Sequence, residues 1–333
     1  MKRLISFAVS LIILIIIYSK IDFVGLIAVF QNCNKLWMII SLSMVIPLTL
    51  LTAWRLQQLM PSQNSPEELS HNNPDQLRTN FTFGEANRLI LAASVLNMIL
   101  PSKMGDIAKA YFMKKRGHLP GSLSLSLVIF EKVCDLLSLL IWCVFGLMLY
   151  PEKDLLFWVM TVGVSIGLIA GLLLLCSEQF ARFFFQMTRK ISPKKLKHKL
   201  ETFQTAWGEM HSYFWQDSQH LIKIALTSIV IWFGHLLQIW FFILALNAWT
   251  PFLSNLALSP LAILAGLLPL TFAGVGTRDA ALILFYQPYF AASTGAALGL
   301  LCTSRYLLPA IGGLPFLNQY LITVERKQLT TKS

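Results

Sequence analysis

Charge is what this sequence has least of. Only 13% of its 333 residues are Asp, Glu, Lys or Arg, about half the share found in a water-soluble domain, while 56% are hydrophobic. A chain so poor in ions cannot face water on all sides. Its apolar residues fall in long runs from end to end, which leaves no stretch for an independent soluble catalytic domain and excludes a hydrolase or kinase hung on a membrane anchor. Cysteine is scarce as well: Cys33, Cys134, Cys143, Cys176 and Cys302 show neither paired nor metal-ligand spacing, and four of them sit in apolar runs as small core residues. The histidines are equally scattered, so no metal site is expected. A P-loop, a dinucleotide fingerprint and a Ser/His/Asp pattern are all missing, and with them any expectation of a catalytic motif or a cofactor.

What is present is a series of apolar segments able to cross the ~30 Å of bilayer hydrocarbon, which takes about 20 residues of helix. They run Leu4 to Tyr18, Leu36 to Trp54, Leu123 to Tyr150, Leu155 to Cys176, Ile222 to Ala248 and Ala291 to Thr323. Lys2 and Arg3 give the first the look of a signal peptide, but the residues from Tyr18 to Asp22 offer no small-residue cleavage site, so it reads as a retained helix. Two more apolar segments, Leu89 to Leu100 and Leu256 to Thr271, run into Pro- and Gly-containing breaks. The expected fold is an all-α polytopic membrane protein, with about six full transmembrane helices and two re-entrant broken-helix hairpins arranged as an inverted pseudo-repeat. A single domain over residues 1–333 is expected, with a polar loop at 57–80 and a basic loop at 177–221.

Cations outnumber acids, 27 to 16. In a soluble protein this excess would suggest nucleic acid. Here the cations lie in loops between apolar runs, where they set orientation and meet anionic lipid head groups, so no nucleic-acid partner is expected. If both broken segments return to the side they came from, most cations collect on one face with both termini: Arg55, Arg78, Arg88, Lys103, Lys109 and those of the basic loop. That face is cytoplasmic by the positive-inside rule. If both segments crossed fully, the basic loop would lie opposite the N-terminus.

Irregular backbone at membrane depth occurs only where protein or a watery cavity satisfies it, and matched Pro/Gly breaks in two halves of a transporter point to the substrate site. The first break holds Pro101, Gly105 and Asp106; the second holds Pro269, Gly274, Gly276, Arg278 and Asp279. Glu131 follows Asp106 by 25 residues and Arg305 follows Asp279 by 26. The candidate head-group residues are therefore Asp106, Glu131, Asp135, Arg278, Asp279 and Arg305, with Asn97, Lys103 and Lys109 secondary. Glu131 and Asp135 share a helix face, with Lys132 beside them. A charge at the centre of a membrane helix costs at least ~2.5 kcal/mol, so three ions in five residues need partners or water. The plainer alternative is a salt-bridge cluster, Glu131 or Asp135 with Arg278 or Arg305, that only locks helices together. Asn97, His235, Gln238 and Asn247 suit hydrogen bonds between helices.

The run from Asn97 through Pro101, Gly105 and Asp106 to Ala110, the later Glu131–Asp135 stretch, and Gly274–Asp279 together resemble the lysylphosphatidylglycerol synthase transmembrane family, also called flippase-like or UPF0104 proteins. The resemblance spans about residues 4 to 323. It implies a membrane domain in the bacterial or archaeal plasma membrane that moves lipids between leaflets, without the soluble synthase half found in bifunctional members. Ser102 stands where that family commonly has Gly, Lys103 and Lys132 where it has Arg, and Asp279 where it has Glu. Lys keeps the charge but loses the planar bidentate fork of Arg.

The leading expectation is thus a translocase for a phospholipid or glycolipid in the bacterial inner membrane, with Arg278 and Arg305 on phosphate and the acids meeting a cationic group. Two alternatives stand beside it. One is an intramembrane transferase with Asp106 or Glu131 as general base; the other is a membrane partner of a separately encoded lipid-modifying enzyme docking on the basic loop.

Overall fold

The computed structural model describes residues 23–60, 81–99, 105–116, 119, 121–150, 153–191, 200–201, 204–205, 207–208, 210–212, 214–215, 217–267 and 276–330. Among them there is no strand. Twelve helices are named here: α1 Phe23–Gln31, α2 Lys35–Ser43, α3 Val45–Leu59, α4 Phe83–Ile99, α5 Gly105–Arg116, α6 Gly121–Leu149, α7 Leu155–Cys176, α8 Glu178–Ile191, α9 Ser218–Ala245, α10 Phe252–Leu267, α11 Thr277–Tyr286 and α12 Ala292–Thr330. Five stretches are long and apolar enough to cross a membrane: Lys35–Leu59, Gly121–Leu149, Leu155–Cys176, Ser218–Ala245 and Ala292–Tyr320. The chain is an all-α polytopic membrane protein, and these stretches match five of the six expected spans. The sixth, Leu4 to Tyr18, lies outside the described residues.

Local chemistry explains the element ends. Asn34 caps α2, its side-chain oxygen accepting from the Leu36 and Trp37 amides at 3.1 and 3.2 Å, as an N-cap Asn does. The span it opens is interrupted at Met44, because Pro47 in the next turn has no N–H for the Ser43 carbonyl and its ring crowds that carbonyl. Asp154 and Asp217 cap α7 and α9 in the same manner, on the amides of Phe157 and His220. Two boundaries differ from the sequence reading. α3 continues to Leu59, so Gln57 and Gln58 are helical rather than loop. The 177–221 segment is largely helical among its described residues, carrying α8 and short helical stretches between 200 and 215, because Phe180, Phe183, Phe184 and Met187 recur at the helical period.

The two broken segments form helix pairs, α4 with α5 and α10 with α11, each pair packed together. At the first, Gly105 opens α5 so close to α4 that a Cβ there would collide with the Ala93 carbonyl oxygen and the Asn97 backbone; only glycine permits that approach. At the second, Gly276 precedes α11 with φ 103°, a backbone region in which L side chains are strained.

The order span, helix pair, span occurs twice, as α2–α3, α4–α5, α6 and as α9, α10–α11, α12. The packing between halves is reciprocal: α4 lies along α12, and α10 lies along α6. This exchange is what a two-fold pseudo-repeat gives. It also splits the core into two regions. One is built around α6, α9, α10, α11 and α12, with Leu139, Ile239, Phe242, Leu282 and Leu298 fully buried. The other lies around α3, α4, α5 and α6, with Leu56, Leu59, Met113, Leu127 and Phe214.

Candidate functional site

Six ions meet where α3, α5 and α6 converge. Arg55 reaches in from α3, 2% exposed, and one guanidinium nitrogen donates to Asp135 Oδ1 at 2.5 Å while the other donates to Glu131 Oε1 at 3.1 Å. The nitrogen on Asp135 also donates to Ser228 Oγ of α9 at 2.9 Å. Lys109 of α5, 1% exposed, donates to the other oxygen of Glu131. Lys132 Nζ lies 3.3 Å from both Asp106 Oδ2 and Asp135 Oδ2 and is 44% exposed, at the open edge of the group. Asn97 donates to Asp106 Oδ1 at 3.5 Å, a weak bond. Three cations thus face three carboxylates, and the local charge sums to zero. In an apolar surround that closure is what makes the ions tolerable.

The expected acids Asp106, Glu131 and Asp135 are brought together here, but their partners are not the expected ones. Neither Arg278 nor Arg305 bridges to them; Arg55 and Lys109 do. Arg55, expected as a cation of the cytoplasmic face, and Lys109, expected there and as a secondary head-group residue, are both buried. Lys132, which the sequence sets beside the two acids, bridges Asp106 and Asp135.

The second-half residues form a separate arrangement. Asp279 Oδ1 accepts from Arg278 Nε at 2.9 Å and from Nη2 at 2.6 Å, and Asp279 Oδ2 accepts the Gly276 amide at 3.1 Å. The same Nη2 donates to the Gly299 carbonyl at 3.0 Å and to Thr303 Oγ1 at 2.8 Å on α12. Arg278 and Asp279 are therefore engaged with each other and pin the start of α11 to α12. Close by, Tyr286 and Ser259 both direct hydroxyls at Asn255 Oδ1, at 2.8 and 2.9 Å, and Asn255 Nδ2 donates to the Leu236 carbonyl at 2.9 Å. Sequence reasoning passed over this trio, which joins α9, α10 and α11. Pro101, Lys103, Pro269 and Gly274 lie outside the described residues.

Arg305 is different from every other buried cation. It is 7% exposed, and among the described residues no carboxylate stands within bridging distance. Among the described residues its one hydrogen bond runs from Nη1 to the His235 carbonyl of α9 at 3.5 Å and its Nε meets no acceptor; its guanidinium lies 5.6 Å from the Tyr306 ring centroid. Pro309 sits one turn on within α12 and has no N–H to give to the Arg305 carbonyl. Ser228, which holds Arg55, and His235 are two turns apart on α9, about 10 Å along its axis. The neutral six-ion cluster and the uncompensated cation thus lie along one helix.

Outside the cluster, α3 and α9 diverge to leave an apolar groove of about 420 Å³ lined by Leu51, Trp54, Ile222, Leu226 and Val230. Lys223 lies over the Trp54 ring, 5.2 Å from its centroid. Trp54 and Thr227, both on the groove, are the chain neighbours of Arg55 and Ser228. Elsewhere Gln238 donates to the Ser41 carbonyl at 2.8 Å and Asn247 to the Asn32 carbonyl, both between helices.

Residues 3–313 match the family described as Lysylphosphatidylglycerol synthase TM region. A curated relative, a UPF0104 membrane protein of Methanocaldococcus jannaschii, is 25% identical over 242 residues, covering 68% of this chain and 71% of its own.

Proposed function

The chain belongs to the lysylphosphatidylglycerol synthase transmembrane-region family, and from that premise we propose that it is a lipid translocase, passing a polar head group between leaflets along α9 while the acyl chains stay in the bilayer. The observation that carries this reading is Arg305. A buried guanidinium with no counter-ion among the described residues is costly in an apolar interior, and an anionic ligand removes the cost. The phosphate that every phospholipid carries is such a ligand. The Arg305 carbonyl, deprived of its helical donor by Pro309, adds an acceptor for a hydroxyl or ammonium of the same head group. Arg278, committed to Asp279, serves to hold the α10–α11 pair in place.

In this reading the six-ion cluster is the polar lining of the other half of the path. Its exposed member, Lys132, is the one a passing head group meets, and Asp106 and Asp135 exchange Lys132 for a cationic group on the lipid. The groove between α3 and α9 gives an acyl chain a place to lie while the head group is inside. The cargo is a phospholipid or a glycolipid phosphate. The protein acts as a carrier without bond chemistry, in the plasma membrane, with both termini on the cytoplasmic side where its basic stretches collect.

The test is leaflet exchange of head-group-distinct fluorescent phospholipids in proteoliposomes. Arg305→Gln is expected to abolish exchange and Arg305→Lys to retain part of it, with protein folding checked by helicity. Exchange unchanged in Arg305→Gln would remove Arg305 from the path.

A further inference from the structure

The helix that follows the span α7 has three faces, and only two are accounted for. α7 ends at Cys176, Ser177 is extended, and α8 starts at the end of a membrane span. On one face Ala181 and Phe185 are buried, with Phe185 edge-on to Trp207 at 5.9 Å. On a second, Arg182, Arg189 and Lys190 are exposed. On the third, Phe183, Phe184 and Met187 are 61%, 47% and 54% exposed. At 100° per residue those three fall within one arc of about 100°, turned away from Ala181 and Phe185 and flanked on one edge by Lys190, about 20° from Phe183. Arg182 and Arg189 have carboxylate neighbours, Glu178 at 2.5 Å and Glu201 at 2.7 Å; Lys190 has none among the described residues. From position 178 to 201 the sequence carries seven Lys and Arg against two Glu.

We propose that α8 lies in the plane of the membrane interface at the α7 C-terminal end, with Phe183, Phe184 and Met187 in the acyl boundary and its cations on anionic lipid head groups. A helix with a strong apolar face, few apolar residues overall and cations on its polar side is the form that binds membrane surfaces and responds to their composition. The charge surplus selects anionic over zwitterionic lipid. The anchor is connected inward: Phe185 touches Trp207, Trp207 is 6.3 Å from Phe130, and Phe130 stacks on Phe214 at 4.4 Å. Phe130 is the chain neighbour of Glu131, the acid shared by Arg55 and Lys109. This inference stands independently of the translocase reading.

The experiment is hydrogen exchange of α8 amides in the full chain, in nanodiscs of phosphatidylcholine alone and of phosphatidylcholine mixed with phosphatidylglycerol. Exchange is expected to be about five-fold slower in the anionic discs, the factor for one cation near an anionic surface. The triple variant Arg182→Gln, Arg189→Gln, Lys190→Gln is expected to lose that difference, and Phe183→Ser with Met187→Ser to speed exchange in both discs. Equal exchange in both compositions, or a difference that survives the triple variant, overturns the proposal. Fast exchange in both discs, unaltered by the serine variants, also overturns it and leaves the apolar face to a protein partner.

Discussion

Replacing Arg55 by Met tests whether the six ions act as one neutral unit. The wild-type group has three cations and three carboxylates; Arg55→Met leaves Lys109 and Lys132 facing all three acids. Glu131 keeps Lys109, but Asp135 is left with Lys132 alone, which is 44% exposed and already shared with Asp106. Breaking a buried pair from one side costs about 3–5 kcal/mol, and the loss here is expected near 3 because Lys132 remains. Asp135→Asn, from the other side, leaves Arg55 on Glu131, which it must share with Lys109, and a similar loss follows. The double variant is the informative one. It leaves Lys109 with Glu131 and Lys132 with Asp106, two closed pairs with balanced charge, so it should cost little more than the lost hydrogen bonds, which average about 0.6 kcal/mol between membrane helices. The coupling in the cycle should then be at least ~2 kcal/mol. The assay is reversible unfolding in mixed micelles, followed by helicity, for the wild type, both single variants and the double. Costs that add within about 0.5 kcal/mol would refute the neutral-unit reasoning and reduce the cluster to independent surface-like pairs.

Three further outcomes can be checked by the same unfolding measurement. Gly105→Ala should cost about 1–3 kcal/mol, because the added methyl forces α5 off α4, whereas Gly163→Ala, whose methyl would meet none of the described residues within 4 Å, should be neutral or slightly stabilising through helix propensity. Tyr286→Phe should cost about 1 kcal/mol, since Asn255 loses one of two hydroxyl donors but keeps Ser259. Asn34→Ala should cost about 1 kcal/mol by uncapping α2, and Asn34→Asp should not.

The spans were legible because their signal is local: a run of apolar residues of membrane length needs no knowledge of its neighbours. Asp106, Glu131, Asp135 and Arg305 were legible for the same reason, as ions in or beside such runs. Arg55 was not, and Lys109 stood out only as a secondary candidate. Each sits near the end of a hydrophobic stretch, where a cation ordinarily reports orientation, and what reverses that reading is contact with Glu131, 76 and 22 residues away in the chain. The pairing of Arg278 with Asp279 was hidden differently. Adjacent residues on a helix do not face each other, so the spacing gives no hint of an ion pair; the Gly299 carbonyl and Thr303 hydroxyl, 21 and 25 residues on, hold the guanidinium beside Asp279. That Arg305 meets no carboxylate among the described residues depends on everything packed around it and has no local signature.

The order of the cluster along the chain bears on how the protein is made. A membrane helix emerging from the ribosome must settle in the bilayer with whatever partners already exist. α6 brings two acids and one lysine within five residues, a segment that is expensive to release into lipid by itself. Its neutralising cations, Arg55 and Lys109, are both upstream, as is Asp106, the partner of Lys132. Each charge on α6 therefore finds its counter-charge already synthesised, and only the hydroxyl of Ser228 arrives later. Translation order alone lets α6 leave the insertion machinery as part of a neutral group; a circular permutant that begins after Arg116 would have to release α6 before either cation exists.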